Sequence, residues 1–62
     1  MGTFTYKISY FNDETEIIED HKIEDISKED AEFHTYKMRI GDFGADFFDF
    51  KFNGEPLILE NY

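Results

Sequence analysis

Residues 45–62, ADFFDFKFNGEPLILENY, decide the fold. Asn53-Gly54 stands between two apolar runs. A type I′ turn needs positive φ at both central residues, and Asn and Gly supply it at least cost. A two-residue loop there fixes the register, with Phe52 facing Glu55, Lys51 facing Pro56, Phe50 facing Leu57 and Phe48 facing Leu59. Directly opposed residues share a face. One face then carries Phe48, Phe50, Phe52, Leu57 and Leu59, and the other carries Phe47, Asp49, Lys51, Pro56, Ile58 and Glu60. Pro56 donates no ladder hydrogen bond, so its strand belongs at a sheet edge.

The stretch before the hairpin admits two readings. Ser27 is a good N-cap, Glu29 and Asp30 suit a helix N-terminus, and Ile26 is placed to staple onto Ala31. A helix continued to Ile40 would end at Gly41 with Lys37 and Arg39 in its last turn. Yet residues 34–40 also alternate, with Tyr36, Met38 and Ile40 on one face. A loop centred on Gly44 would set those three against the Phe-rich face of the hairpin. His, Thr and Tyr are mediocre helix formers. This match favours a short helix followed by a strand.

At the other end, Thr3 to Phe11 alternates cleanly, with Phe4, Tyr6, Ile8 and Tyr10 on one face. That is the period of a half-buried strand. Asn12-Asp13 signals a turn, setting Ile8 opposite Ile17 and Tyr10 opposite Thr15. A second strand over residues 14–23 would turn Thr15, Ile17, His21 and Ile23 inward, with Glu19 awkward among them. The expected architecture is a small α+β fold dominated by antiparallel β, a β-β-(short α)-β-β-β meander in one domain spanning residues 1–62. Its expected core is Phe4, Tyr6, Ile8, Tyr10, Ile17, Phe33, Tyr36, Met38, Ile40, Phe48, Phe50, Phe52, Leu57 and Leu59.

A chain of 62 residues has little core to spend, and without cysteine no disulfide reinforces it. Eight Phe and four Tyr compensate. No apolar run approaches the ~18 residues of a membrane span, and no leader is expected. Net charge is −9, which disfavours nucleic acid and anionic membranes as direct partners and favours a basic protein. The charge is concentrated: from Asp13 to Glu32 there are ten acids against Lys22 and Lys28, leaving −8 of the −9 in a stretch with no aromatic residue.

The chemistry-bearing motifs are poor. Ile40-Gly41-Asp42-Phe43-Gly44 contains the Asp-Phe-Gly triplet of protein kinases, without their Gly-rich loop or catalytic loop, and reads as a turn. Asp42, Asp46 and Asp49, or Asp13, Glu14 and Glu16, lack the spacing of a hard-cation loop. His21 and His34 sit in no metal-binding spacing. No catalytic residue, cofactor or metal is therefore expected, and the chain reads as a non-enzyme. Its binding candidates are the acids Glu14, Glu16, Asp20, Glu24, Asp25, Glu29 and Asp30. A second set, Phe11, Phe43, Phe47 and Ile58, would form an apolar interface if the sheet packs only one face.

In size and charge the chain resembles the small acidic proteins that phages encode against bacterial defence, the nucleic-acid mimics of anti-restriction and anti-CRISPR type. The resemblance implies a cytoplasmic inhibitor, acting in the host cell by direct binding to a basic, nucleic-acid-binding defence or regulatory protein, and a homodimer. The alternative is a small homo-oligomeric interaction or adaptor module that uses an exposed aromatic face.

Overall fold

The computed structural model describes residues 1–41 and 44–59. Four strands and one helix follow in the order β1 (Gly2–Asn12), β2 (Thr15–Ile26), α1 (Lys28–Ile40), β3 (Asp46–Phe52) and β4 (Glu55–Pro56). The strands form one antiparallel sheet in the order β2-β1-β3-β4. The α+β class dominated by antiparallel β therefore holds. Since β2 and β3 flank β1, α1 must bridge from one to the other across the sheet, and it packs against β3.

The Asn53-Gly54 hairpin forms as the turn chemistry requires. Asn53 has φ 52° and Gly54 φ 81°. Lys51 pairs with Pro56 and Phe52 with Glu55, and the Leu57 amide donates to the Phe50 carbonyl at 2.9 Å. Pro56 lies on the edge strand, as its missing donor demands. The turn is also tied to β1: the Thr3 amide donates to Asn53 Oδ1 at 2.9 Å and the Asn53 amide returns a bond to the Thr3 carbonyl at 2.9 Å. A Cβ on Gly2 would run into the Asn53 side chain and the Phe52 ring, so the close approach there needs glycine.

Residues 34–40 are helical, which overturns the strand expected there and removes one strand from the meander. Both ends of α1 are capped. Ser27 Oγ accepts from the Asp30 amide at 3.1 Å, and the Gly41 amide donates to the Lys37 carbonyl at 3.0 Å. Glu29 and Asp30 lie in the first turn, Lys37 and Arg39 in the last, each complementing the helix dipole. Ala31 and Thr35, four residues apart, are fully buried on one stripe, and the Thr35 hydroxyl donates to the Ala31 carbonyl at 2.9 Å. Caps and this buried stripe outweigh the weak propensities of His34, Thr35 and Tyr36. The alternation of Tyr36, Met38 and Ile40 was coincidental: Ile40 is exposed, as is Phe33.

The core lies between α1 and one face of the sheet. Phe4, Ile26, Ala31, Phe50 and Leu57 are buried there, with Tyr6, Ile23, Met38, Phe47, Phe52 and Leu59 packed around them. Phe4 stacks on Phe50 at 6.3 Å and packs at a tilt against Tyr6 at 5.3 Å, centroid to centroid. The opposite face of the sheet has no layer over it among the described residues.

Two β-bulges re-aim the side chains. Between Thr5↔Lys51 and Lys7↔Phe48, β3 carries one residue more than β1. Asp49, at φ 57°, is that extra residue. It reverses the alternation counted back from the turn, so Phe47 faces the core beside Tyr6 while Phe48 moves to the open face and is exposed. The second bulge lies in β2, between Ile23 and Ile26. Asp25, also at φ 57°, is its extra residue and returns Ile26 to the core. Every non-glycine residue with positive φ among those described is Asp or Asn: Asp13, Asp25, Asp49 and Asn53. These short polar side chains tolerate the left-handed region best.

Candidate acidic surface

The acid-rich segment folds as the turn Asp13-Glu14, the edge strand β2 and the first turn of α1. The β1–β2 hairpin turns one residue later than the sequence suggested, with Asn12 opposite Thr15, Tyr10 opposite Ile17 and Ile8 opposite Glu19. The slip from the expected pairing is two residues, an even number, so every side chain keeps its expected face. Glu16, Asp20 and Glu24 recur every fourth residue on the open face, ~13 Å apart along the strand.

The candidate acids are not equivalent. Glu14 sits at the hairpin turn, and Glu16 stands at the exposed far end of the open face. Asp20 pairs with Lys7 at 3.4 Å and Glu24 with Lys22 at 3.3 Å, both in solvent. Exposed pairs of this kind contribute about 0–1 kcal/mol and are screened by salt, so they mute these two charges without removing them. Asp25 is fixed by its bulge, and Glu29 and Asp30 by the helix terminus. Three of the seven therefore have a backbone reason to be acidic or polar that involves no partner.

Glu19, the awkward inward acid, has partners. Tyr10 donates its hydroxyl to Glu19 Oε2 at 2.8 Å, and His21 Nε2 lies 3.0 Å from Oε1. These two bonds, that of His21 first, hold the Glu19 carboxyl below its ordinary value of 4.5, while the same carboxylate pushes the Tyr10 phenol up. A carboxyl lowered on folding contributes stability above its unfolded pKa and loses it as pH falls through the folded value. The contribution of Glu19 should thus fade below about pH 4.5. Carbon-detected titration should find the Glu19 midpoint raised toward the ordinary value in His21→Ala; an unmoved midpoint refutes the assignment.

The apolar candidates are not brought together. Phe11 is on the open face near the Asp13-Glu14 turn and Ile58 follows β4 at the opposite end; both are exposed. Phe47 is packed against the core, because the Asp49 bulge turns it inward, and leaves the set. Phe43 lies outside the described residues. Sequence reasoning missed Ile18 and Phe48, which are the open-face apolar residues across from Ser9 and Lys7. Ile18 was legible from the alternation of β2; Phe48 was not, without the bulge.

Among the described residues no cluster of three or more His, Asp or Glu is placed to hold a metal ion, and no helix is long and apolar enough to cross a membrane. No family model, curated protein or solved structure matches the chain.

Proposed function

We propose that the chain is a non-catalytic acidic binding protein, an inhibitor of the phage anti-defence type that offers a negative surface to a basic, nucleic-acid-binding partner in the cytoplasm. One observation supports this reading: the segment holding −8 of the −9 charges forms a single margin of the molecule, running along the 12-residue edge strand and into the first turn of α1. A groove lined with Lys and Arg meets along that margin a line of fixed anions, as it does along a phosphate backbone. Binding blocks substrate by occupancy, and long-range attraction makes association fast and salt-sensitive.

The test is capture of partners from a bacterial lysate on the immobilised chain, with and without added duplex DNA. A captured nucleic-acid-binding protein should be lost between about 50 mM and about 200 mM salt, as expected when several charge pairs hold it. It should be displaced by the DNA and absent from a Glu14→Lys/Glu29→Lys variant. A captured partner that survives both salt and DNA sinks the mimicry.

A further inference from the structure

Among the described residues nothing covers the open face of the sheet, and its two ends differ. Across the strands it reads in rows: Glu16–Phe11, then Ile18–Ser9–Asp46, Asp20–Lys7–Phe48, and Lys22–Thr5–Lys51. The first two rows carry exposed apolar side chains beside carboxylates; Phe11 is 69% exposed and Ile18 55%. At the other end lies a shallow depression of about 380 Å³ centred on Thr5 and walled by Lys7, Lys22 and Lys51, with Asp20 and Asp49 at its margin. Tyr6 and His21 complete its lining, and the three lysines give it stems that are apolar along their length and cationic at the tip. Three of the six cations of a strongly acidic chain gather on this face.

We propose that this face binds a second copy of the same chain. A projecting Phe–Glu pair and a recessed Thr–Lys pair on one face make it self-complementary, the condition for a two-fold interface. A two-fold axis crossing the strands between the Lys7 and Ser9 rows reverses strand direction and keeps β1 over β1 and β2 over β2. It lays Phe11 of each copy into the Thr5 depression of the other and sets Glu16 against the partner's Lys22. The two contacts lie on either side of the axis, since Thr5 and Phe11 are ~20 Å apart along β1. Aligned sheet packing keeps the strands of the two copies within about 30° of each other.

The size fits. The molecule measures 38 × 22 × 15 Å, so its broad face presents about 840 Å² in projection. A standard stable interface takes about 800 Å² from each partner, so the whole face is engaged. The pairing also answers a deficit: among the described residues only five apolar side chains are buried in the single chain, and domains this small commonly need association or a staple to hold together. The inference does not rest on the charge reading above. Glu14 and Glu29, which test that reading, lie outside the rows used here.

Sedimentation equilibrium of the full chain, from about 1 µM to about 1 mM, should show the mass rise from 7.4 kDa to twice that value. Phe11→Asp should stay monomeric throughout with an unchanged circular dichroism spectrum, because Phe11 is exposed in the single chain. Lys22→Glu and Glu16→Lys should each weaken association roughly tenfold, and the double variant, which restores opposite charges across the axis, should recover most of it. A wild-type mass of 7.4 kDa at every concentration overturns the proposal. So does a Phe11→Asp variant that still dimerises, or a double variant no better than either single one.

Discussion

Phe4→Ala should leave the protein unfolded, or nearly so, at room temperature. Phe4 is fully buried on the central strand and packs against the rings of Tyr6, Phe50 and His34, with centroids 5.3, 6.3 and 6.5 Å away. Truncating a buried Phe costs about 3–5 kcal/mol, because the transfer free energy is lost and the cavity collapses only in part. At roughly 0.05–0.15 kcal/mol per residue, the whole stability of 62 residues is of the same order. Among the described residues no second core lies elsewhere to absorb the loss. Urea titration by circular dichroism checks it: a cooperative transition within 1 kcal/mol of the wild type would show that the core does not depend on Phe4. The association proposed for the open face would add stability, so the comparison belongs at the lowest workable protein concentration.

Two deletions two residues apart should have opposite outcomes. Asp49 is the extra residue of the β3 bulge, so removing it leaves the pairs Lys7↔Phe48 and Thr5↔Lys51 as they are and makes the strand regular. Phe47 and Phe50 keep facing the core. The deletion relieves a left-handed residue and breaks one exposed 3.9 Å ion pair with Lys51, so stability should shift by no more than about 1 kcal/mol. Removing Lys51 instead carries Phe50 across to the open face. That deletion takes a buried ring out of the core and should cost as much as Phe50→Ala, about 3–5 kcal/mol. Thermal melts of the two variants decide the matter. If both deletions are equally damaging, Asp49 is not the residue that sets the face of β3.

The legible parts of the fold were those where chemistry and geometry agree within a few residues. Asn53-Gly54 specified its turn and register unaided, since a two-residue loop leaves no freedom. Thr3 to Phe11 announced its faces by period two. Residues 27–41 held correct signals at both ends, Ser27 and Gly41 with the right charges between them. A seven-residue alternation competed with those signals, and periodicity over so short a window does not separate a strand from one stripe of a helix. The bulges were invisible for another reason. An Asp in the left-handed region looks in sequence like any other Asp, and nothing in DFFDFKF marks Asp49 as the residue that opposes no partner of its own.

The candidate site was less legible than the fold for that same reason. Asp13 and Asp25 count as two of the ten acids in the charged segment, yet each occupies a backbone position that favours Asp, Asn or Gly. Glu19 serves Tyr10 and His21, and Glu29 and Asp30 serve the helix terminus. Composition shows the sum and hides these separate reasons.

The long rim formed by β2 has one more bearing on the chain. A bare strand of 12 residues at the border of a sheet is a ready template for fibrous growth. In this protein a second β2 laid alongside would bring carboxylates against carboxylates along its length. The anionic border thus acts as a guard against runaway stacking, and titrating it away in acid would lift that guard.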